Sequence, residues 1–159
     1  MNKIIKKTLL IIYNLKYDNT INFNLFNSHL LDKINKSNFN IINLHWLGND
    51  TLSLNDVNRI NKKVIITLHD MWPYTAVEHY METEEYLKKY TVNSKNKTNI
   101  FIDKIFQNKV KNFKNISNVI CASRWQKKMV EKSLIFKQAK KHLIPLPLDF
   151  DYWKPIDKK

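Results

Sequence analysis

The sequence predicts an α/β fold built on a parallel sheet flanked by helices. Four short apolar runs carry that prediction: Ile41 to Trp46, Val64 to His69, Asn118 to Ser123 and His142 to Leu146. They are continuous and partly β-branched, as strands buried on both faces are. Between them the apolar spacing changes to the three-and-four rhythm of helices, and strands alternating with helices pair in parallel through crossovers. With 159 residues, 43% of them hydrophobic, the chain is the size of one domain and can bury a real core.

The elements follow in order. Met-Asn-Lys-Ile-Ile-Lys-Lys and then Leu9 to Tyr13 imitate the basic and apolar regions of a signal peptide. The apolar part is short and no small-residue cleavage site follows, so an early strand is expected there. Leu30, Leu31 and Ile34 give Ser28 to Lys36 a helical stripe. Ser53 or Asn55 can cap a helix running through Val57 and Ile60. His79 opens onto a helix from Glu82 to Tyr90, and Thr91 to Asn99 is polar and aperiodic, as a loop is. From Ile100 to Phe113 the residues Ile102, Ile105, Phe106, Val110 and Phe113 share one helical stripe, with lysines expected opposite. Ser123 is placed to cap a helix from Arg124 to Leu134.

Composition narrows the function. The net charge of +13 would suit a polyanion partner, yet only Arg59 and Arg124 of the 27 basic residues are arginine. The bidentate fork that grips phosphate and guanine is an arginine property, and the lysines are scattered, so no specific nucleic-acid partner is expected. Abundant Lys, Asn and Ile beside a single glycine look like the drift of an A/T-rich genome. Cys121 is the only cysteine, which leaves no disulfide framework and no cysteine metal knuckle and fits a reducing compartment. One glycine, Gly48, cannot build a G-x-G-x-x-G or P-loop cradle for a diphosphate.

The chemistry-bearing residues crowd at the strand ends. In open parallel sheets ligands bind beyond the carboxyl ends of the strands, and three predicted strands end in His45-Trp46, His69-Asp70 and Ser123-Arg124. His69 is a candidate to hydrogen-bond or deprotonate a substrate hydroxyl, and Asp70 to orient it or touch substrate. His45 fits a satisfied strand-end histidine as well as a functional one. Core packing is the first expectation for Trp46 and Trp72. A metal held by His45, His69, Asp70 and His79 would lack any close ligand spacing such as H-E-x-x-H, and none is expected.

The order of these residues resembles a known family. "INLHWLGNDTLSLNDVNRINKKVIITLHDMWPYT" followed by His79-Tyr80 is similar to a branch of the family-four retaining glycosyltransferases that build bacterial surface polysaccharides. Their strand ending Asn-Leu-His-Trp also precedes one ending Thr-Leu-His-Asp-Met-Trp. "CASRWQKKMVEKSLIF" resembles their Ser-x-Trp helix start, and "LIPLPLDFDYWKP" the segment that leads towards their second domain. The likeness runs from about residue 23 to 156, and Leu-His-Asp-Met-Trp is its most specific part.

The resemblance implies the GT-B architecture: two Rossmann-like domains, the first chiefly for the acceptor, the second for the nucleotide-sugar, with the site between them. It places His69 beside the reacting sugar and lines the cleft with Asp70, Trp72, Tyr74 and His79. The donor nucleotide-sugar and a glycan or lipid-linked acceptor are the implied partners, with no separate cofactor. A cytoplasmic location, at or near the inner face of the membrane, follows from the same likeness. Relatives open with a strand and a Gly-rich loop that nothing here matches, and they carry Gly-Gly-Cys where this chain has Ala76-Val77-Glu78. The sequence ends at Lys159, where a donor-binding domain would begin. The expectation is therefore a partial N-terminal domain, a remnant or one half of a split enzyme, inactive alone. The alternative is a non-catalytic α/β module that binds a sugar or a protein in the same crevice.

Overall fold

The computed structural model describes residues 3–12, 21–92 and 99–155. Strands β1 (Ile41–Leu44), β2 (Lys63–Leu68), β3 (Asn118–Cys121) and β4 (Lys140–Leu143) form one parallel sheet in the order β1-β2-β3-β4. Strand order is chain order, so every connection is a crossover stepping the same way. Right-handed crossovers of that kind leave their helices on one face. The crossing helices are α3 (Leu54–Asn58), then α4 (Thr83–Lys89) with α5 (Ile100–Asn112), then α6 (Arg124–Glu131); α1 (Lys3–Ile12) and α2 (Leu30–Lys36) precede the sheet. The architecture is α/β and Rossmann-like, as the periodicities predict.

The two faces of the sheet differ. Leu44, Val64, Ile66, Leu68, Val119 and Cys121 share one face by register, and all are buried. Ile41, Asn43, Ile65, Thr67, Asn118, Ile120 and His142 share the other, where only Thr67 is buried. Polar side chains pair across that second face: Thr67 Oγ1 donates to Asn43 Oδ1 at 3.0 Å, and the His142 ring meets Asn118 Oδ1 at 2.9 Å. β2 is an interior strand, paired in parallel with β1 on one edge and β3 on the other, and it is the most buried strand.

The local signals hold where chemistry fixes them. Ser53 caps α3 in a reciprocal box, its hydroxyl accepting from the Asp56 N–H while Asp56 Oδ2 accepts from the Ser53 N–H. Asn99 caps α5 by accepting from the Phe101 N–H at 2.9 Å. Ser123 caps α6. β1 and β3 stop two residues before their apolar runs do and β2 one, while β4 begins two residues before its run and stops three residues before the run does, because sheet pairing and not composition sets the strand ends. Of the expected loop at 91–99, residues 93–98 lie outside the described residues; Thr91 forms an antiparallel bridge with Ser133.

Three expectations need correction. The N-terminal run is a helix, α1, not a strand: alternation is absent from KIIKKTLLII, and only Leu10 of its described side chains is buried. Trp46 is not core, since 49% of it is exposed. The lysines of α5 do not all lie opposite its apolar stripe. Lys109 falls three and four residues from Phe106 and Ile105, in the stripe itself, and is wholly buried.

An aromatic cluster fills the space between α4, α5 and the sheet, with Tyr74 edge-on to Tyr86 and Tyr90 tilted against Phe106. Burial pushes the phenols of Tyr74, Tyr86 and Tyr90 well above their ordinary 10.0, helped at Tyr90 by the Glu78 carboxylate. A folded phenol that resists ionisation binds more protons than an unfolded one above pH 10. Stability should therefore fall as pH rises past about 10, with a slope approaching about 1.4 kcal/mol per phenol per pH unit. Urea midpoints across an alkaline series would measure it. Tyr74 OH has no hydrogen-bond partner among the described residues, so Tyr74→Phe should cost little at neutral pH and make that alkaline slope shallower.

Candidate functional site

The carboxyl ends of β1 and β2 release His45 and His69 side by side, because adjacent parallel strands deliver equivalent positions to the same edge. Their rings meet Nδ1 of His45 to Nε2 of His69 at 2.9 Å, and both are exposed. Trp46 lies next to them with half its surface open, and its ring centroid is 6.0 Å from that of His79. A Cβ on Gly48 would overlap the Trp46 indole, so the one glycine stands where a ring lies against the backbone. β3 ends at the same edge of the sheet, where Ser123 and Arg124 are exposed. The Ser123 hydroxyl already accepts from the Gln126 N–H at 3.1 Å.

Asp70 turns away from His69. Its Oδ1 accepts from the Trp72 N–H at 3.0 Å, and its Oδ2 meets Nδ1 of His79 at 2.5 Å. The other nitrogen of His79 lies 2.6 Å from Asn22 Nδ2, while Asn22 Oδ1 accepts from the Asn49 N–H at 3.2 Å. One proton arrangement satisfies all four groups: Asn22 donates its amide N–H to Nε2 of a neutral His79, whose Nδ1–H is donated to Asp70. The Asp70–His79 pair is buried and joins the 70–79 loop to the segment before α2.

Trp72 and Tyr74 sit inside the core. They flank a single 3₁₀ turn, Trp72–Tyr74, whose indole N–H donates to the Asn22 carbonyl at 2.7 Å. Beneath it, Lys109 Nζ donates to the carbonyls of Trp72, Thr75 and Ala76 at 2.7, 3.1 and 2.8 Å. The same nitrogen lies 3.6 Å from the centre of a Trp72 ring. Three donated bonds require an ammonium. Burial drives its pKa well below the ordinary 10.5, against the pull of the Glu78 and Asp70 carboxylates. Glu78 is itself held, accepting from the Tyr90 hydroxyl at 2.9 Å and the Val77 N–H at 3.1 Å.

Of the nine residues predicted for a site, the structure brings His45, Trp46 and His69 together at the surface and sets Ser123 and Arg124 at the same sheet edge. Asp70, Trp72, Tyr74 and His79 form the support behind them. Among the described residues no group of three histidine, cysteine or carboxylate side chains converges on a metal position. A groove of about 430 Å3 between Phe113, Ile116 and Ala139 lies at the amino ends of β3 and β4, away from the strand-end histidines. Sequence inspection missed Lys109 and Asn22. Lys109 announces itself only by its place in the apolar stripe, and Asn22 has no signal of its own.

Comparison with protein-family models, curated proteins and solved structures returns no match.

Replacing Lys109 with methionine should fill its volume but leave three buried carbonyls without donors. The expected loss is about 3 kcal/mol or more by urea denaturation, since orphaning buried partners costs more than the bonds contribute. Faster amide exchange across residues 71–79 should accompany it.

Proposed function

We propose that this chain is the acceptor-side domain of a GT-B glycosyltransferase, transferring sugar from a nucleotide-sugar to a glycan or lipid-linked acceptor. The observation that supports it is the convergence of His45, Trp46 and His69 where adjacent parallel strands end. That edge is where open α/β sheets bind ligands. A half-exposed indole offers an apolar plane to the face of a sugar ring, and paired imidazoles offer both donor and acceptor to its hydroxyls. His69 is the group assigned to the reacting hydroxyl. His45 holds its ring. Ser123 and Arg124, at the start of α6, extend the same wall.

A nucleotide-sugar needs a second wall. A single glycine allows no glycine-rich cradle for its diphosphate. After β4, Ile144, Leu146, Leu148, Phe150, Tyr152 and Trp153 are all exposed, as a surface facing a donor-binding domain would be. The proposed reaction is therefore completed by such a domain, in the same polypeptide or another. A cytoplasmic site, where nucleotide-sugars are available, belongs to the same reading.

A second reading, a non-catalytic sugar- or protein-binding module, is favoured by one feature. Both Asp70 oxygens are engaged by Trp72 and His79, so no carboxylate is bonded to His69.

Two measurements separate the readings. Calorimetry with a panel of nucleotide-sugars should show no tight binding to the chain alone; micromolar binding would contradict the assignment of the donor to another domain. With a donor-binding domain added, His69→Ala should lower kcat by about 100-fold or more, while Trp46→Ala should chiefly raise acceptor KM. Acceptor binding that survives without any turnover would favour the binding module. Full turnover in a folded His69→Ala variant would remove His69 from the chemistry.

A further inference from the structure

The groove at the amino ends of β3 and β4 combines an apolar interior with a lysine border. It runs between the turn that follows α5 and the segment joining α6 to β4, with about 430 Å3 of space. Phe113, Ile116, Ile135 and Ala139 form its floor, and all four are buried. Half-buried Val110 and Leu134 complete the apolar lining. Lys114 and Lys137 line it as well and are exposed, which sets their ammonium groups at its mouth. Its volume and lining suit a binding site. It lies at the opposite end of the strands from His45 and His69, so the strand-end chemistry makes no use of it.

Charge selects the occupant. Neither Lys114 nor Lys137 forms an ion pair among the described residues. Between Asp103 and Asp149 the sequence holds one acidic residue, Glu131, and its carboxylate faces Lys127 on α6 at 4.0 Å. A ligand that fills the groove must therefore bring bulky apolar groups and negative charge together. A second copy of the chain is ill suited, since it carries 27 basic residues against 14 acidic. Nucleic acid would satisfy the lysines through its phosphates and leave the apolar floor wet. We propose that the groove docks an acidic peptide segment of a partner protein, with apolar side chains against Val110, Leu134 and the floor beneath them, and carboxylates at Lys114 and Lys137. The inference goes beyond the glycosyltransferase reading and does not depend on it, since it uses no residue of the strand-end site.

Fluorescence anisotropy with short labelled peptides tests it on the full chain. Two probes are built from glutamate and leucine, one with the leucines at helical spacing and one with them alternating along an extended chain. At least one should bind, and high salt should weaken it, because exposed charges are screened. Amide shifts on binding should map to residues 110–117 and 134–139. Replacing the glutamates of the probe with lysine, or its leucines with serine, should abolish the binding. In the protein, Lys114→Glu with Lys137→Glu should weaken it by about tenfold or more, as two attractive contacts become repulsive. Lys33→Glu with Lys36→Glu on α2 makes the same change in net charge and should alter binding by about twofold at most. All four lysines are exposed, so the thermal unfolding of both double variants should match the parent chain.

Several results would overturn the proposal. Failure of both acidic probes to bind would do so directly. Equal losses in the two double variants would mean that net charge alone attracts the peptide. Binding that survives the loss of the leucines would remove the apolar floor from recognition. Amide shifts centred on His45 and His69 would move the peptide to the other end of the strands. A chain that ignores both peptides but binds single-stranded DNA, with shifts at the groove, would give its lysines to nucleic acid instead.

Discussion

One buried ammonium fixes the geometry around which the rest of the domain is arranged. Lys109 reaches from α5 into a turn whose three carbonyls have no other side-chain donor among the described residues, and it receives the face of Trp72 above it. From that turn the connections run outward: the Trp72 N–H to Asp70, Asp70 to His79, His79 to Asn22, and Asn22 to the Asn49 backbone beside β1. An apolar side chain of the same volume could fill the space but could not satisfy the carbonyls. The loop after β2 is therefore shaped by a cation from a helix that follows it in sequence, and the edge that presents His69 inherits its rigidity from that loop.

This division of labour separates two histidines that look alike in sequence. His79 is buried, with both nitrogens engaged, and it orders the chain. His69 and His45 are exposed and, among the described residues, bonded only to each other, so a ligand hydroxyl could replace either partner. Trp46 belongs with the exposed pair by position. Its indole lies against Gly48, which sets one face of the ring and leaves the rest to solvent.

Sequence periodicity carried the sheet and its helices because each depends on local repetition: β-branched runs for β1 to β3, a stripe for α5, Ser53 and Ser123 as caps. It also placed the strand-end residues, since parallel strands must end at a common edge. It failed where a side chain's role is decided at long range. Only its place in the apolar stripe sets Lys109 apart from Lys104 and Lys111, and nothing local names its partners, which lie more than thirty residues earlier in the chain. Core packing is the first expectation for Trp46 because tryptophans are usually buried, yet its indole lies over Gly48 with half its surface open. At the N-terminus a short apolar run suggests an early strand, but it lacks alternation and forms the helix α1, anchored where Leu10 packs.

Strand order that repeats chain order has a kinetic consequence. Two compact units, β1 with α3 and β2, and β3 with α6 and β4, each join neighbours across short connections, so each can close early with little loss of chain entropy. Joining them requires residues 69–117 to fold back, the longest excursion in the sheet, and that same segment holds both Lys109 and the turn it clasps. Docking of the two halves and formation of the ammonium clasp are thus one event. A ribosome-bound chain would hold a complete first unit while the clasp is still unmade, and the histidine edge would acquire its final support only after α5 has emerged.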